Sequence, residues 1–155
     1  DSELEVVDFN KLINEVLALN RRNMDELQAV VQFENLPTGT TYKTPVRQVF
    51  QNLIENGLKY NDPGRTPVIN ISCEVTDTFY EFSIKDNGIG IAPEYFDKIF
   101  IIFQRLHNKD EYSGTGMGLA VTKKVIENLG GKIWLESELG TGTTFHFTIL
   151  KNIKS

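Results

Sequence analysis

The chain of 155 residues holds one cysteine, Cys73, so no intramolecular disulfide can form and a reducing compartment fits best. No Cys/His cluster suggests a zinc site. No apolar run approaches the roughly 18–20 residues that span a bilayer, and the acidic start Asp1-Ser2-Glu3 is no signal peptide. A positive excess is missing too: 16 Lys+Arg stand against 21 Asp+Glu, for a net charge of −5. That balance argues against a nonspecific nucleic-acid binder, which presents cations to phosphates. A small anionic ligand is still allowed, because a helix terminus and one or two cations hold phosphate locally. Internal repeats and low-complexity stretches are absent, and the opening residue is not methionine. The expectation is a piece of a longer protein, cytoplasmic, with no membrane insertion of its own.

What is present is enough for a core. Hydrophobic residues make up 40% and charged residues 24%, which fits one globular domain. Residues 4–7 read as a short strand, and Asp8 as the cap of a helix over 9–20 with Leu12, Ile13, Val16, Leu17 and Leu19 as its stripe. Residues 28–33 read as a strand, and 36–41, with Pro37 and Gly39, as loop. Thr44-Pro45 reads as a cap and first position of a helix to about Asn61, with Val46, Val49, Phe50, Leu53, Ile54 and Gly57 on one face. Strict alternation predicts a hairpin of 68–75 and 79–86 around Thr76-Asp77-Thr78. A short helix over 93–105, a polar stretch over 106–118, a helix over 119–129 ended by Gly130-Gly131, and a hairpin of 132–137 and 143–150 complete the reading. Helices alternate with hairpin-joined strands. The predicted fold class is therefore α/β, a two-layer sandwich whose mixed, mainly antiparallel sheet carries helices on one face.

Against this pattern a few residues stand out. Period two puts Asp86 on the inward face with Tyr80, Phe82 and Ile84. A carboxylate there needs a definite donor. It either caps the Asn87-Gly88 turn or accepts from the exocyclic amine of a buried ligand. On the long helix, Asn52, Asn56 and Lys59 fall at i, i+4 and i+7 and share a stripe. Asn gains little in mid-helix unless its amide is used. Asn52 suits a solvated polar face, whereas Asn56, at the apolar border, could be a neutral oxygen ligand for Mg²⁺. Gly114-Thr115-Gly116-Met117-Gly118 directly precedes a helix and could bring N–H groups to phosphate. It is neither a Rossmann fingerprint nor a Walker A loop. Thr143 alternates inward with Phe145, Phe147 and Ile149, either as a buried threonine or as part of the site. His146 points outward and His107 lies in the polar stretch, so no Ser/His/Asp or Cys/His set is expected.

Taken in order, these segments resemble the sensor histidine kinases. Asn52-Leu53-Ile54-Glu55-Asn56-Gly57-Leu58-Lys59-Tyr60 resembles their N box, and Asp86-Asn87-Gly88-Ile89-Gly90-Ile91 their G1 box. Ile99-Phe100-Ile101-Ile102-Phe103-Gln104-Arg105-Leu106 is similar to the F box, Gly114-Thr115-Gly116-Met117-Gly118-Leu119 to the G2 box, and Gly140-Thr141-Gly142-Thr143-Thr144-Phe145 to the closing hairpin. The resemblance covers about residues 4–150, and 103–134 look closest to phytochrome-like kinases. It implies the Bergerat ATP-binding fold and the cofactors ATP and Mg²⁺.

By that resemblance Asp86 accepts from the adenine amino group, with Thr143 in support. Gly88 and Gly90 let the backbone pass the base, and Ile91 follows them in the same box. Asn56 holds Mg²⁺ with Asn52 assisting, Lys59 contacts phosphate, and Tyr60 flanks the base. Residues 106–118 form a lid, Gly114, Thr115, Gly116, Met117, Gly118 and Leu119 meet the nucleotide, and Arg105 meets phosphate or the partner domain. The implied reaction moves the ATP γ-phosphoryl group to a histidine on a separate dimerisation domain of the same, homodimeric parent, upstream of a response regulator. The acceptor's signature is missing here. An ATP-hydrolysing relative would carry a glutamate base where Asn52 stands, and Glu55 points about 100° away from Asn56. A serine kinase of the anti-sigma type and a nonenzymatic module are the other readings.

Overall fold

A computed structural model of the chain describes residues 3–101 and 118–151. Strand β1 (Leu4–Asp8) runs straight into helix α1 (Phe9–Leu19). The Asp8 carboxylate accepts from the N–H groups of Asn10 and Lys11 at 3.0 and 3.3 Å, which satisfies two of the free donors at a helix start. Phe9, Leu12, Ile13 and Val16 are buried, but Leu19 is 70% exposed. The stripe ends early because Asn20, bonded to the Val16 carbonyl at 2.9 Å and to Gln51 at 3.1 Å, turns the chain into a second helix.

That helix, α2 (Arg21–Leu27), was not expected. It is short and mostly polar, and only Met24 and Leu27 lean on the core. Strand β2 (Val30–Phe33) follows. Residues expected to be loop form β3 (Thr38–Tyr42), which pairs antiparallel with β1, Val7 opposite Gly39. Gly39 is not a turn residue. A Cβ there would lie 2.4 Å from the Tyr80 hydroxyl, so the glycine serves a close approach within a strand.

Helix α3 (Lys43–Lys59) starts earlier than Thr44-Pro45 suggests. Tyr42 is the cap residue and its side chain makes no cap bond, so Thr44 is helical and Pro45 sits in the first turn. Proline is tolerated there because those N–H groups have no intrahelical partner. Strands β4 (Val68–Val75) and β5 (Phe79–Asp86) form the predicted hairpin, from Val75 opposite Tyr80 to Ile69 opposite Asp86. Instead of a helix over 93–105 there are two 3₁₀ turns, Pro93–Tyr95 and Lys98–Phe100. Proline opens the first, and at Ile101 the backbone is already extended. Residues 102–117, with most of the expected lid, lie outside the described residues. Helix α4 (Gly118–Asn128) and strands β6 (Ile133–Glu138) and β7 (Gly142–Leu150) complete the chain.

The main sheet has the order β2-β4-β5-β7-β6, parallel only between β2 and β4. The inward side chains of β4, β5 and β7 meet α1, α3 and α4 in one core. Its centre is aromatic: Phe82 lies 4.9 Å from Phe9, 5.1 Å from Phe50 and 5.2 Å from Phe147, ring centre to ring centre. Such pairs add roughly 0.5–1.5 kcal/mol each beyond area burial. The expected two-layer α/β sandwich is what forms. Its packing fixes α3 across the sheet and leaves the C-terminal end of β5 beside the start of β7 at one end of the strands.

Candidate nucleotide site

Asp86 ends β5 with its carboxylate turned inward. Oδ1 accepts from the Gly88 N–H at 2.9 Å and from the Thr143 N–H at 3.2 Å. The two sequence readings therefore coexist: one oxygen caps the turn, and Oδ2 has no hydrogen-bond partner among the described residues. Burial pushes the carboxyl pKa above its ordinary value, and the two backbone N–H groups pull it partway back. Thr143 supports Asp86 through its amide. Its hydroxyl, buried, pairs with Ser137 Oγ at 2.8 Å.

Helix α3 comes down on this acid at Gly57. A Cβ at Gly57 would stand 3.0 Å from Ile69 Cδ1 and 3.5 Å from Asp86 Cβ. Its neighbour Asn56 is half-buried, and no partner for its amide is found among the described residues. One turn further, Lys59 Nζ lies 5.5 Å from the centre of the Tyr60 ring. Asn52 is engaged with protein. Its amide donates to Thr122 Oγ1 at 2.9 Å and to the Gly118 carbonyl at 3.4 Å, and it accepts from Gln48 at 2.8 Å. Asn52 thus ties α3 to the start of α4 rather than facing solvent, and Leu119 packs against the core beside that tie.

The loop after Asp86 is held by protein on both sides. Ile89 N–H donates to the Tyr60 carbonyl at 3.0 Å, and Gly140 N–H to the Ile89 carbonyl at 2.8 Å. A Cβ at Gly88 would stand 2.3 Å from the Tyr60 carbonyl oxygen, and one at Gly90 (φ +81°) 2.2 Å from that of Glu138. The close approach expected toward a base is, at these glycines, an approach to protein backbone. Ile91 N–H donates to Ser137 Oγ at 2.7 Å.

Ser137 and Arg65 escaped the sequence reading. Ser137 joins Ile91, Thr143 and the Gly142 carbonyl, the last at 2.9 Å. Its only sequence signal was an inward parity on β6. The structure also brings together a set that no spacing suggested: His146 bonds Ser83 Oγ at 2.8 Å and Glu136 at 2.7 Å, and stacks on Trp134. The chain lies on the outer face of the sheet, where strand amides are spent in the ladder and cannot form an oxyanion hole.

A cavity of about 290 Å³ touches Asp86 and is lined by Lys85, residues 136–138 and residues 141–144. No residue of α3 lines it, so it is distinct from the space between Asp86 and Asn56. Arg105, Gly114, Thr115, Gly116, Met117 and His107 lie outside the described residues. Among the described residues no three acidic, His or Cys side chains gather as a metal cage, and no helix is long and apolar enough to cross a membrane.

A sheet backed by helices on one face, with an inward acid at the end of a central strand beneath a helix whose Asn56 amide has no partner among the described residues, defines the class of the α/β-sandwich ATPases. The chain belongs to the family described as histidine kinase-, DNA gyrase B- and HSP90-like ATPases, whose model matches residues 41–153. Within it the chain is homologous to histidine kinase catalytic domains. It is 46% identical over 145 residues to cyanobacterial phytochrome A of Nostoc sp., covering 94% of this chain and 19% of that protein. It therefore spans about a fifth of that relative's length. A solved catalytic domain of histidine kinase ThkA, nucleotide-free, is 31% identical with a TM-score of 0.79, covering 96% of this chain and 98% of that one. ThkA solved in complex with response regulator protein TrrA matches at 27% identity and a TM-score of 0.75, covering 97% of this chain and 42% of that one.

Proposed function

We propose that residues 4–150 form one catalytic domain that binds Mg²⁺-ATP between α3 and the end of β5, and that donates the γ-phosphoryl group to a histidine on a separate dimerisation domain of its parent protein in two-component signalling. One observation carries this reading. The Asp86 carboxylate is oriented by two backbone amides through Oδ1, which leaves Oδ2 as an inward acceptor, and α3 passes against it beside Asn56, whose amide has no partner among the described residues. A fixed carboxylate oxygen suits the exocyclic amine of adenine and not the carbonyl of guanine.

The donor set suits Mg²⁺ only as a shared ion. Asn56 offers one neutral oxygen, and such an ion completes its shell with phosphates and water. When bound, Mg²⁺ supplies charge neutralisation on the phosphates. Lys59 adds a cation one turn along α3, Tyr60 lies against the base, and the segment 114–119 is the one that the family resemblance assigns to the phosphates. These groups bind and orient, which is most of what phosphoryl transfer asks of a protein. The matched histidine kinases, among them ThkA in complex with a response regulator, support the transfer to histidine and a downstream regulator. Asn52 has no carboxylate, and it is bonded to Thr122, which disfavours hydrolysis by a base at that position.

The test is to mix the chain with an isolated histidine-bearing dimerisation domain of a phytochrome-type kinase and γ-labelled ATP. Label should appear on that domain's histidine and require Mg²⁺, while the chain alone stays unlabelled. Binding without any transfer would reduce the chain to a nucleotide-binding module, and no binding would remove the nucleotide as well.

A further inference from the structure

We infer that Arg65 is a positioning residue for the nucleotide base. It holds the loop that orients Asp86, and so sets the selectivity for adenine. The inference rests on the nucleotide-binding reading given above.

The Arg65 side chain reaches three separate segments. Nε donates to the Asn87 carbonyl at 2.6 Å. Nη2 donates to the Gly88 carbonyl at 2.9 Å and to the Gly140 carbonyl at 2.8 Å. Nη1 pairs with Asp62 Oδ2 at 3.3 Å, just beyond the end of α3. One planar cation thereby joins the end of α3, the loop after β5 and the turn between β6 and β7. A guanidinium is suited to this, since it offers five donors in a fixed fork, whereas an ammonium is a single point on a flexible stem.

The link to the base runs through Gly88. Its N–H bonds Asp86 Oδ1, and its C=O is held by Arg65. Asn87 pins the same loop from the other side, accepting from Val68 N–H at 2.9 Å and donating to the Thr66 carbonyl at 2.9 Å. With Arg65 removed, the carbonyls of Asn87, Gly88 and Gly140 lose their shared donor, and the peptide units flanking Gly88 can rotate. The carboxylate then loses part of the frame that aims Oδ2. The fold has less at stake, because the Arg65 side chain is 36% exposed and its bonds go to three backbone carbonyls and the Asp62 carboxylate.

The experiment uses the whole 155-residue chain with Arg65→Lys and Arg65→Ala. Titration calorimetry with Mg²⁺-ADP and Mg²⁺-GDP gives both affinities, and melting is followed in parallel. For Arg65→Ala the account expects roughly a tenfold loss of ADP affinity, the size of one charged hydrogen bond, with GDP changed much less. The ADP/GDP preference therefore shrinks, and Arg65→Lys falls in between. A purely structural arginine would weaken both nucleotides together, in step with the melting temperature, and that result overturns the inference. So does an unchanged preference, or collapse of both variants. Should the wild-type chain bind neither nucleotide, the nucleotide reading itself fails. Wild-type ADP binding with indifferent Arg65 variants fails this inference alone.

Discussion

Replacing Asp86 by asparagine separates binding from folding. Oδ1 takes both backbone N–H bonds, at 2.9 and 3.2 Å, and an asparagine carbonyl can take its place without disturbing the turn. The side-chain amine then stands where Oδ2 stood, a donor facing the donor of the adenine amino group. The loss is that of a charge-assisted bond, ~1.5–3 kcal/mol, or roughly 10- to 150-fold in Kd.

Stability should move the other way. Burial raises the Asp86 pKa, so the stability tied to this group is fully present when the carboxyl is protonated. It is lost as pH rises through the folded-state pKa, which lies above the ordinary aspartate value. At neutral pH the charged form therefore costs stability, and asparagine relieves that cost. The nucleotide-free melting temperature of Asp86→Asn should hold or rise at pH 7 while ADP affinity falls, read by calorimetric titration and scanning calorimetry on the same samples. In the wild type, affinity should also fall on acidification with a midpoint above the ordinary aspartate range, and the variant should lack that step. Unchanged affinity, or a drop in affinity matched by a drop in melting temperature, would refute the reasoning.

Asn56→Ala should leave the melting temperature nearly unchanged, since no protein partner of its amide is found among the described residues. Mg²⁺ should then no longer strengthen ATP binding, and transfer to a supplied dimerisation domain should cease. Gly88→Ala should cost about 1–3 kcal/mol in a denaturant titration, because its Cβ would stand 2.3 Å from a backbone oxygen that cannot yield. Saturating wild-type chain with Mg²⁺-ATP at about a hundredfold over Kd should add roughly 2.7 kcal/mol of stability. A flat melting curve across that range would count against any site.

Residues whose role is written into local periodicity were legible from sequence. Alternation along β5 placed Asp86 inward, and helical spacing placed Asn56 at the apolar border. Both positions stand as expected. Roles that depend on chain brought from far away were not legible. Arg65 reads as an ordinary surface arginine after Asp62-Pro63-Gly64, and its partners lie 22, 23 and 75 residues on. Asn52 looked solvated because its partner Thr122 is 70 residues distant. Gly39 reads as part of a loop because the Tyr80 ring that demands it belongs to another strand. In each case the local signal was present, but the tertiary contact that gives it meaning was not.

The most direct measurement is a crystal structure of the chain with Mg²⁺ and a non-hydrolysable ATP analogue. The account predicts the adenine amino group within hydrogen-bond reach of Asp86 Oδ2, with the phosphates running along α3 toward Asn56 and Lys59. A nucleotide bound on the outer face of the sheet, or an Asp86 carboxylate turned away from the base, would contradict it.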